Sequence, residues 1–170
     1  MKKTAIVLVL LSIVFLNGYS EVSFKDYKKI CQSVKLELSA FPKESGWNGK
    51  NAKPVLDTPQ KKNYKTIIQE AAKQKPNFNG KYRIVTFGAG TMANSFFIID
   101  LETGIVTEGF TFEFNLEYSV DSRMIIRNSP GEIIDFWKED LSDDDAIPEW
   151  SITEYYIFSD NAFTKILEIL

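Results

Sequence analysis

The sequence has 170 residues, with 20 lysines and arginines against 23 aspartates and glutamates, one cysteine and no histidine. The lack of histidine excludes Ser-His-Asp and Cys-His catalysis, imidazole acid–base chemistry and the usual mixed zinc sites. A single thiol excludes an internal disulfide, and a net charge of −3 argues against nucleic acid and anionic lipid surfaces, which select basic patches, while leaving a cationic protein as a compatible partner.

The chain opens MKKTAIVLVLLSIVFLNGYS. Lys2 and Lys3 precede an apolar run from Ala5 to Leu16, and Gly18 and Ser20 are small residues at the −3 and −1 positions of a cut after Ser20. This pattern predicts a signal peptide over 1–20, because the apolar run is too short for a comfortable membrane span. Position 21 is Glu21, not cysteine, so no lipoprotein anchor is expected. The remaining 21–170 is the size of a single domain with its own core, periplasmic or secreted. No later segment is apolar enough to span a bilayer.

Residues 23–40 predict a helix. Tyr27, Ile30, Cys31, Val34 and Leu38 recur at three- and four-residue spacing, with Pro42 as the stop. Cys31 is read as a small buried hydrophobe within that stripe. Residues 43–54, KESGWNGKNAKP, have loop composition. A second helix starts with Thr58 as N-cap and Pro59 as first helical residue. Tyr64, Ile67, Ile68, Ala71 and Ala72 form its stripe, and Pro76 ends it.

Strands follow. KYRIVTF and SFFIID are joined by a glycine loop, and LETG predicts a tight turn with Gly104 in the left-handed region before IVTEG returns. In FTFEFNLEYSV, Phe110, Phe112, Phe114, Leu116, Tyr118 and Val120 alternate with polar residues, which predicts a strand with one apolar and one wet face. RMIIR is a further strand. ITEYYIF and FTKILEI form a closing hairpin across SDNA. The fold class expected is α+β: two N-terminal helices packed on a meandering antiparallel β-sheet, covering the row of phenylalanines.

The loop FGAGTMANSFFIID, residues 87–100, carries two glycines after a strand. Phosphate loops require a helix behind the glycines to present its free amides. Here a strand follows, and neither nucleotide fingerprint is present. The loop is therefore read as a bend between paired strands, with Gly88 and Gly90 supplying unusual dihedrals.

The run PNFNGKYRIVTFGAGTMANSFFIIDLETGIV, with the later Asp121, Ser122 and Arg123 and the tyrosine-rich closing hairpin, resembles a family of small exported bacterial proteins. Matching positions include Pro76, Asn77, Phe78, Gly80, Tyr82, Gly88, Gly90, Asp100, Thr103 and Gly104, and the likeness spans roughly residues 54–169. The family's two cysteines fall on Ala89 and Ala93, its histidine on Lys81 and its tryptophan on Phe87. The joint loss of the cysteines is what the resemblance implies if they pair with each other. Thiol, metal or imidazole chemistry in relatives is then lost here, while the bend is kept.

Between the later strands lies the acidic insertion GEIIDFWKEDLSDDDAIPEW. Glu139, Asp140, Asp143, Asp144 and Asp145 do not have calcium-loop spacing, so a solvated acidic loop is expected rather than a metal site. Beside Trp137 and Trp150 it is the candidate binding segment for a cationic protein. The alternative is that both tryptophans pin the loop to the sheet. Asp121, Ser122, Arg123 and Asp100 read as turn and pairing residues. Glu113 and Glu117, four apart on one strand, would be about 13 Å apart, too far for the carboxylate pair of a retaining glycosidase at about 5–5.5 Å or an inverting one at about 6.5–9.5 Å. The expectation is a non-enzymatic periplasmic binding protein, of inhibitor or immunity type, needing no cofactor. The alternative is a carboxylate- or Ser/Lys-based envelope hydrolase using Lys81, Arg83 and Asp121.

Overall fold

The computed structural model describes residues 22–169; the expected signal peptide lies outside the described residues. The chain is α+β, and its antiparallel strands form two sheets. The first has the order β1 (Tyr82–Gly90), β2 (Ala93–Asp100), β3 (Val106–Glu108). The second has the order β4 (Leu116–Glu117), β5 (Met124–Arg127), β6 (Thr153–Ser159), β7 (Ala162–Ile169). Each sheet is a meander of sequential neighbours.

Strand parity assigns every apolar side chain to a layer. Tyr82, Ile84, Phe96 and Ile98 of the first sheet pack with Ile125 and Phe158 of the second, forming a core between the sheets. The intervening Phe97 and Ile99 face outward against Ile68 and Ala71, which belong to the helix α3 (Lys65–Ala71). On the opposite side Met124, Ile126 and Tyr155 face Phe24 and Tyr27 of helix α1 (Phe24–Ser33). The result is four layers, helix–sheet–sheet–helix, and each amino-terminal helix covers a different sheet.

Both helix starts follow the sequence. Ser23 caps α1 by accepting from the Asp26 amide, and Thr58 caps α2 (Pro59–Asn63) by accepting from the Lys61 amide, with Pro59 at the first position. The lengths differ from expectation. The first helix stops at Ser33, and only a single 3₁₀ turn, Leu38–Ala40, follows. The stretch VKLEL places Val34, Leu36 and Leu38 against the helix-side core. Its alternation has period two, and an extended chain delivers all three to one face where a helix would not. The second helix breaks at Tyr64, which has φ −100° and ψ 19°. Its ring lies 4.1 Å from Phe87 and 5.8 Å from Phe97, so aromatic packing on the sheet sets the break.

The expected strand FTFEFNLEYSV is corrected. Only Leu116–Glu117 pairs as a strand, and Phe112 makes an isolated bridge to Asn94. The reason is Asn128, which is fully buried and has φ 52°. Its side-chain oxygen accepts from the amides of Glu113 and Phe114, each at 3.0 Å, and Asn115 Oδ1 accepts from the Ser129 amide at 2.7 Å. Side chains thus take the backbone bonds that a neighbouring strand would otherwise supply. The apolar row also divides: Phe110 and Phe112 join the inter-sheet core, whereas Phe114 lies against the helix-side core and stacks on Trp150 with centroids 5.5 Å apart. Phe110 and Phe112 are covered by the second sheet rather than by the amino-terminal helices, and only Phe114 joins the cluster to which α1 contributes.

The closing hairpin turns at Asp160 and Asn161, with φ 51° and 59°, the two-residue geometry that suits the twist of paired strands. Gly104 has φ 82°, and a Cβ there would lie 2.2 Å from the Lys53 carbonyl oxygen. At the β1–β2 tip, Gly90 has φ 137° and the non-glycine Met92 has φ 58°. Gly88 is not in the left-handed region and faces open space, so the unusual dihedral expected there belongs to Met92. Within the acidic insertion, Pro130–Trp137 forms a helix, α4, with Pro130 in its first turn. Among the described residues, no helix is long and apolar enough to cross a membrane.

Candidate functional site

A groove of about 560 Å³ opens where the segment after α1 passes the start of α4 over the second sheet. Its floor is apolar: Leu36 and Leu38 from the extended segment after α1, Ile126 from β5 and Tyr155 from β6. Its walls carry Glu37, Glu117, Glu132 and Asp135, and among the described residues no lysine or arginine lines it. Among the described residues Glu37, Glu117 and Glu132 have no ion-pair partner, and Asp135 lies 3.3 Å from the exposed Lys138. Burial pushes the Tyr155 hydroxyl up to about 12, with smaller contributions from Cys31 and the Glu117 charge. It therefore remains a neutral donor at physiological pH.

The local sequence explains this concentration of charge. In VKLEL the apolar residues turn inward, so Glu37 must point out. In α4, Ile133 is buried while Glu132 and Asp135 lie on the exposed face. Glu117, on edge strand β4, is exposed beside them. Such a groove suits a cationic side chain set on an apolar base, an arginine or lysine from a partner.

The segment singled out in the sequence lies at the other end of α4. Trp137 Nε1 donates to Ser151 Oγ at 2.9 Å, and the rings of Trp137 and Trp150 lie 5.4 Å apart. Both tryptophans thus join a pile with Phe114 and Phe136 that fastens the insertion to the sheet. The acidic residues divide. The carbonyls of Asp143 and Asp145 accept from the amides of Lys25 and Phe24 at the start of α1. Asp143 also meets Lys28 at 2.5 Å, and Asp145 Oδ2 accepts from the Ser142 amide. Glu139, Asp140 and Asp144 are exposed and have no ion-pair partner among the described residues. They follow the end of α4, an eight-residue helix of about 12 Å whose first turns wall the groove. Among the described residues, no group of three or more Asp, Glu, Cys or His side chains is arranged to hold a metal ion.

Comparison of the chain with family models, curated proteins and solved structures finds no match. The site must be interpreted from its own geometry.

Lys81, Arg83 and Asp121 do not converge. Lys81 lies 2.9 Å from Asp100 and 3.1 Å from Glu102. Burial opposes its charge, but the hydrogen bonds it donates to these two carboxylates more than reverse that and hold its pKa above the ordinary range. Arg83 donates to Gln74 Oε1 and to the Lys75 carbonyl, and Asp121 meets Lys43 at 2.6 Å. None of the three lines the acidic groove. Asp100 has a second structural task, accepting from the amides of Glu102 and Thr103 as the turn residue expected. Glu113 and Glu117 separate: Glu113 turns in toward Arg127 and Asn128, while Glu117 faces the groove. The 87–95 bend lines neither this groove nor the one described below.

Sequence reasoning missed Glu37, Glu117, Glu132 and Asp135 as a group. They come from three separated segments, and no local pattern joins them. The one usable signal was the alternation in VKLEL, which fixes Glu37 outward.

Proposed function

We propose that the chain is an exported, non-enzymatic binding protein of inhibitor or immunity type, which engages a cationic protein partner through the acidic groove. The observation that carries this reading is an apolar floor walled by four carboxylates with no lysine or arginine in its lining among the described residues. The unpaired Glu139, Asp140 and Asp144, and Trp150 with 43% of its surface exposed, form the outer part of the same contact. Asp143, Asp145 and Trp137 shape it by holding the insertion in place. Complementary charge raises the encounter rate and suppresses wrong partners, while a buried anchor on the apolar floor supplies affinity. Export is supported by the pattern of residues 1–20 and by the family resemblance.

The experiment is calorimetry of the protein purified without residues 1–20 against lysozyme, a cationic cell-wall-degrading enzyme, paired with a lysozyme activity assay. Binding or inhibition is expected, and Glu117→Lys with Glu132→Lys should weaken it by about tenfold or more. Association that persists unchanged in the double variant would remove the groove from the reading. A wild-type protein that neither binds nor inhibits lysozyme, and captures no cationic protein from a periplasmic extract, would defeat the proposal.

A further inference from the structure

Charge is segregated along this chain. Residues 22–76 hold 12 lysines against five acidic residues, whereas residues 77–169 hold six basic residues against 17 acidic ones. Lys25, Lys28 and Lys29 lie on α1 over the second sheet, but on the outer side of the first sheet a second groove, of about 1050 Å³, opens between the loop after Pro42 and the end of α3. Lys50, Lys53, Lys73 and Lys75 line it, and among the described residues no carboxylate does. Lys73 meets Glu70 at 2.5 Å; Lys50, Lys53 and Lys75 have no ion-pair partner among the described residues.

The groove is held rigidly. The loop wall is fastened by backbone hydrogen bonds from Trp47 to the Gly80 carbonyl, from Ala52 to Leu101 and from Val55 to Gly104. On the other wall, Arg83 donates to Gln74 Oε1 and to the Lys75 carbonyl. A helix C-terminus would ordinarily present bare carbonyls that repel an anion. Here Asn51 Nδ2 donates to the Ala72 and Gln74 carbonyls at 2.8 and 2.9 Å, and Asn51 Oδ1 accepts from Trp47 Nε1. The negative end of α3 is thereby covered, and the lysines set the sign of the groove.

We propose that this groove binds an anionic oligosaccharide. The lysines would pair with its charged groups. Trp47 would offer a flat apolar face to a sugar ring, and Asn48 and Gln69, which also line the groove, would supply amide donors and acceptors for hydroxyls. A single-stranded nucleic acid is disfavoured because such strands are held by several aromatic platforms in succession, and among the described residues Trp47 alone of the aromatics lines this groove. The site lies on the opposite outer face from the acidic groove and does not depend on that groove's function.

The test is titration of the protein with tetragalacturonate at low ionic strength, followed by calorimetry and by the indole N–H resonance of Trp47. Binding is expected to shift that resonance, and neutral maltotetraose should bind at least about tenfold more weakly, since tenfold is a small fraction of what several charge contacts supply. Lys53→Glu with Lys75→Glu should cost at least about tenfold without altering the unfolding midpoint, because both side chains are surface groups. Trp47→Phe, tested separately, should weaken binding while leaving its salt dependence in place. The proposal is overturned if tetragalacturonate does not bind, if maltotetraose binds equally well, or if the lysine variant binds like the wild type. It is also overturned if inorganic phosphate shifts the same resonance as strongly, or if an eight-nucleotide oligothymidine binds more tightly.

Discussion

The Glu154 carboxylate lies 2.6 Å from Arg127 Nη1 on the inward face of the second sheet, with only 8% of its side-chain surface exposed. Arg127 reaches Glu113 with its other terminal nitrogen, and Lys165 closes on Glu154 at 2.9 Å and on Glu168. A chain of charges therefore borders the inter-sheet core where the apolar cluster ends. Burial alone would raise the Glu154 pKa, but hydrogen bonds from Arg127 and Lys165 outweigh it and hold the carboxyl down at about 2.

This depression has a definite sign. The stabilisation from ionised Glu154 is complete above the unfolded carboxyl range near 4.5 and fades as pH falls toward about 2. Glu154→Gln keeps the shape but loses the charge, so it should cost about 1–3 kcal/mol at pH 7 and leave a shallower decline between pH 4.5 and 2. Urea midpoints at pH 7, 4 and 2.5 measure both. A variant whose midpoint falls as steeply with acid as the wild type would assign the acid sensitivity to other groups.

Asn128 should be among the most sensitive positions in the chain. Besides the amides of Glu113 and Phe114, it serves Glu113 Oε2 and the Ile152 carbonyl through its side-chain nitrogen, and its own carbonyl accepts from Thr153 Oγ1 at 2.6 Å. Asn128→Ala leaves two buried amides unpaired and puts alanine at φ 52°. The expected loss is at least about 3 kcal/mol. Asn128→Asp retains the acceptor but sets a second carboxylate beside Glu113, and should also destabilise the chain. Thermal unfolding of either variant within a degree or two of wild type would show that the diverted segment is not held by this residue.

Asn128 also marks where sequence reading stopped. The periodicity of residues 110–120 is real, but periodicity reports which side chains are apolar and not which groups bond the backbone. The capture of two amides by a side chain 14 and 15 residues later in sequence is a tertiary event with no local signature. Legible elements were those fixed by short-range chemistry: the start of the first helix near residue 23, the cap at Thr58, the turn at Gly104, and the hairpin at Asp160 and Asn161. The VKLEL stretch was legible but carried two readings, since Val34 and Leu38 fit helical spacing and Leu36 fits only the extended one. Both grooves went unread because each is assembled from segments far apart in sequence. Averaging charge over 170 residues also concealed the separation of a basic amino-terminal part of the sequence from an acidic carboxy-terminal one.

Two glycines distinguish a required turn from a permissive bend. Gly104→Ala introduces a methyl group 2.2 Å from the Lys53 carbonyl oxygen at φ 82°, so it should cost about 2 kcal/mol or more and loosen the loop that walls the basic groove. Gly88→Ala meets no atom within 4 Å and should change stability by less than about 0.5 kcal/mol. Chemical unfolding of the two variants side by side gives the comparison. Equal effects would mean that the β1–β2 bend, not the β2–β3 turn, is the constrained one.

Cys31 packs at the edge of the helix-side core near Tyr27 and Tyr155. Burial pushes its pKa up to about 11, against a smaller lowering by the Tyr27 hydrogen bond. The nucleophile in alkylation is the thiolate, so near pH 7 only a minute fraction is reactive and the half-buried sulfur is also shielded. Iodoacetamide should therefore label the folded protein at least about tenfold more slowly than the urea-unfolded chain. The folded rate should still be rising at pH 9, where a thiol of ordinary pKa is already levelling off. Cys31→Ala should keep the fold, at a cost of about 1 kcal/mol for the small cavity, and should leave binding at both grooves unchanged. Rapid labelling of the native protein at neutral pH would contradict the burial and would reopen a chemical role for this residue.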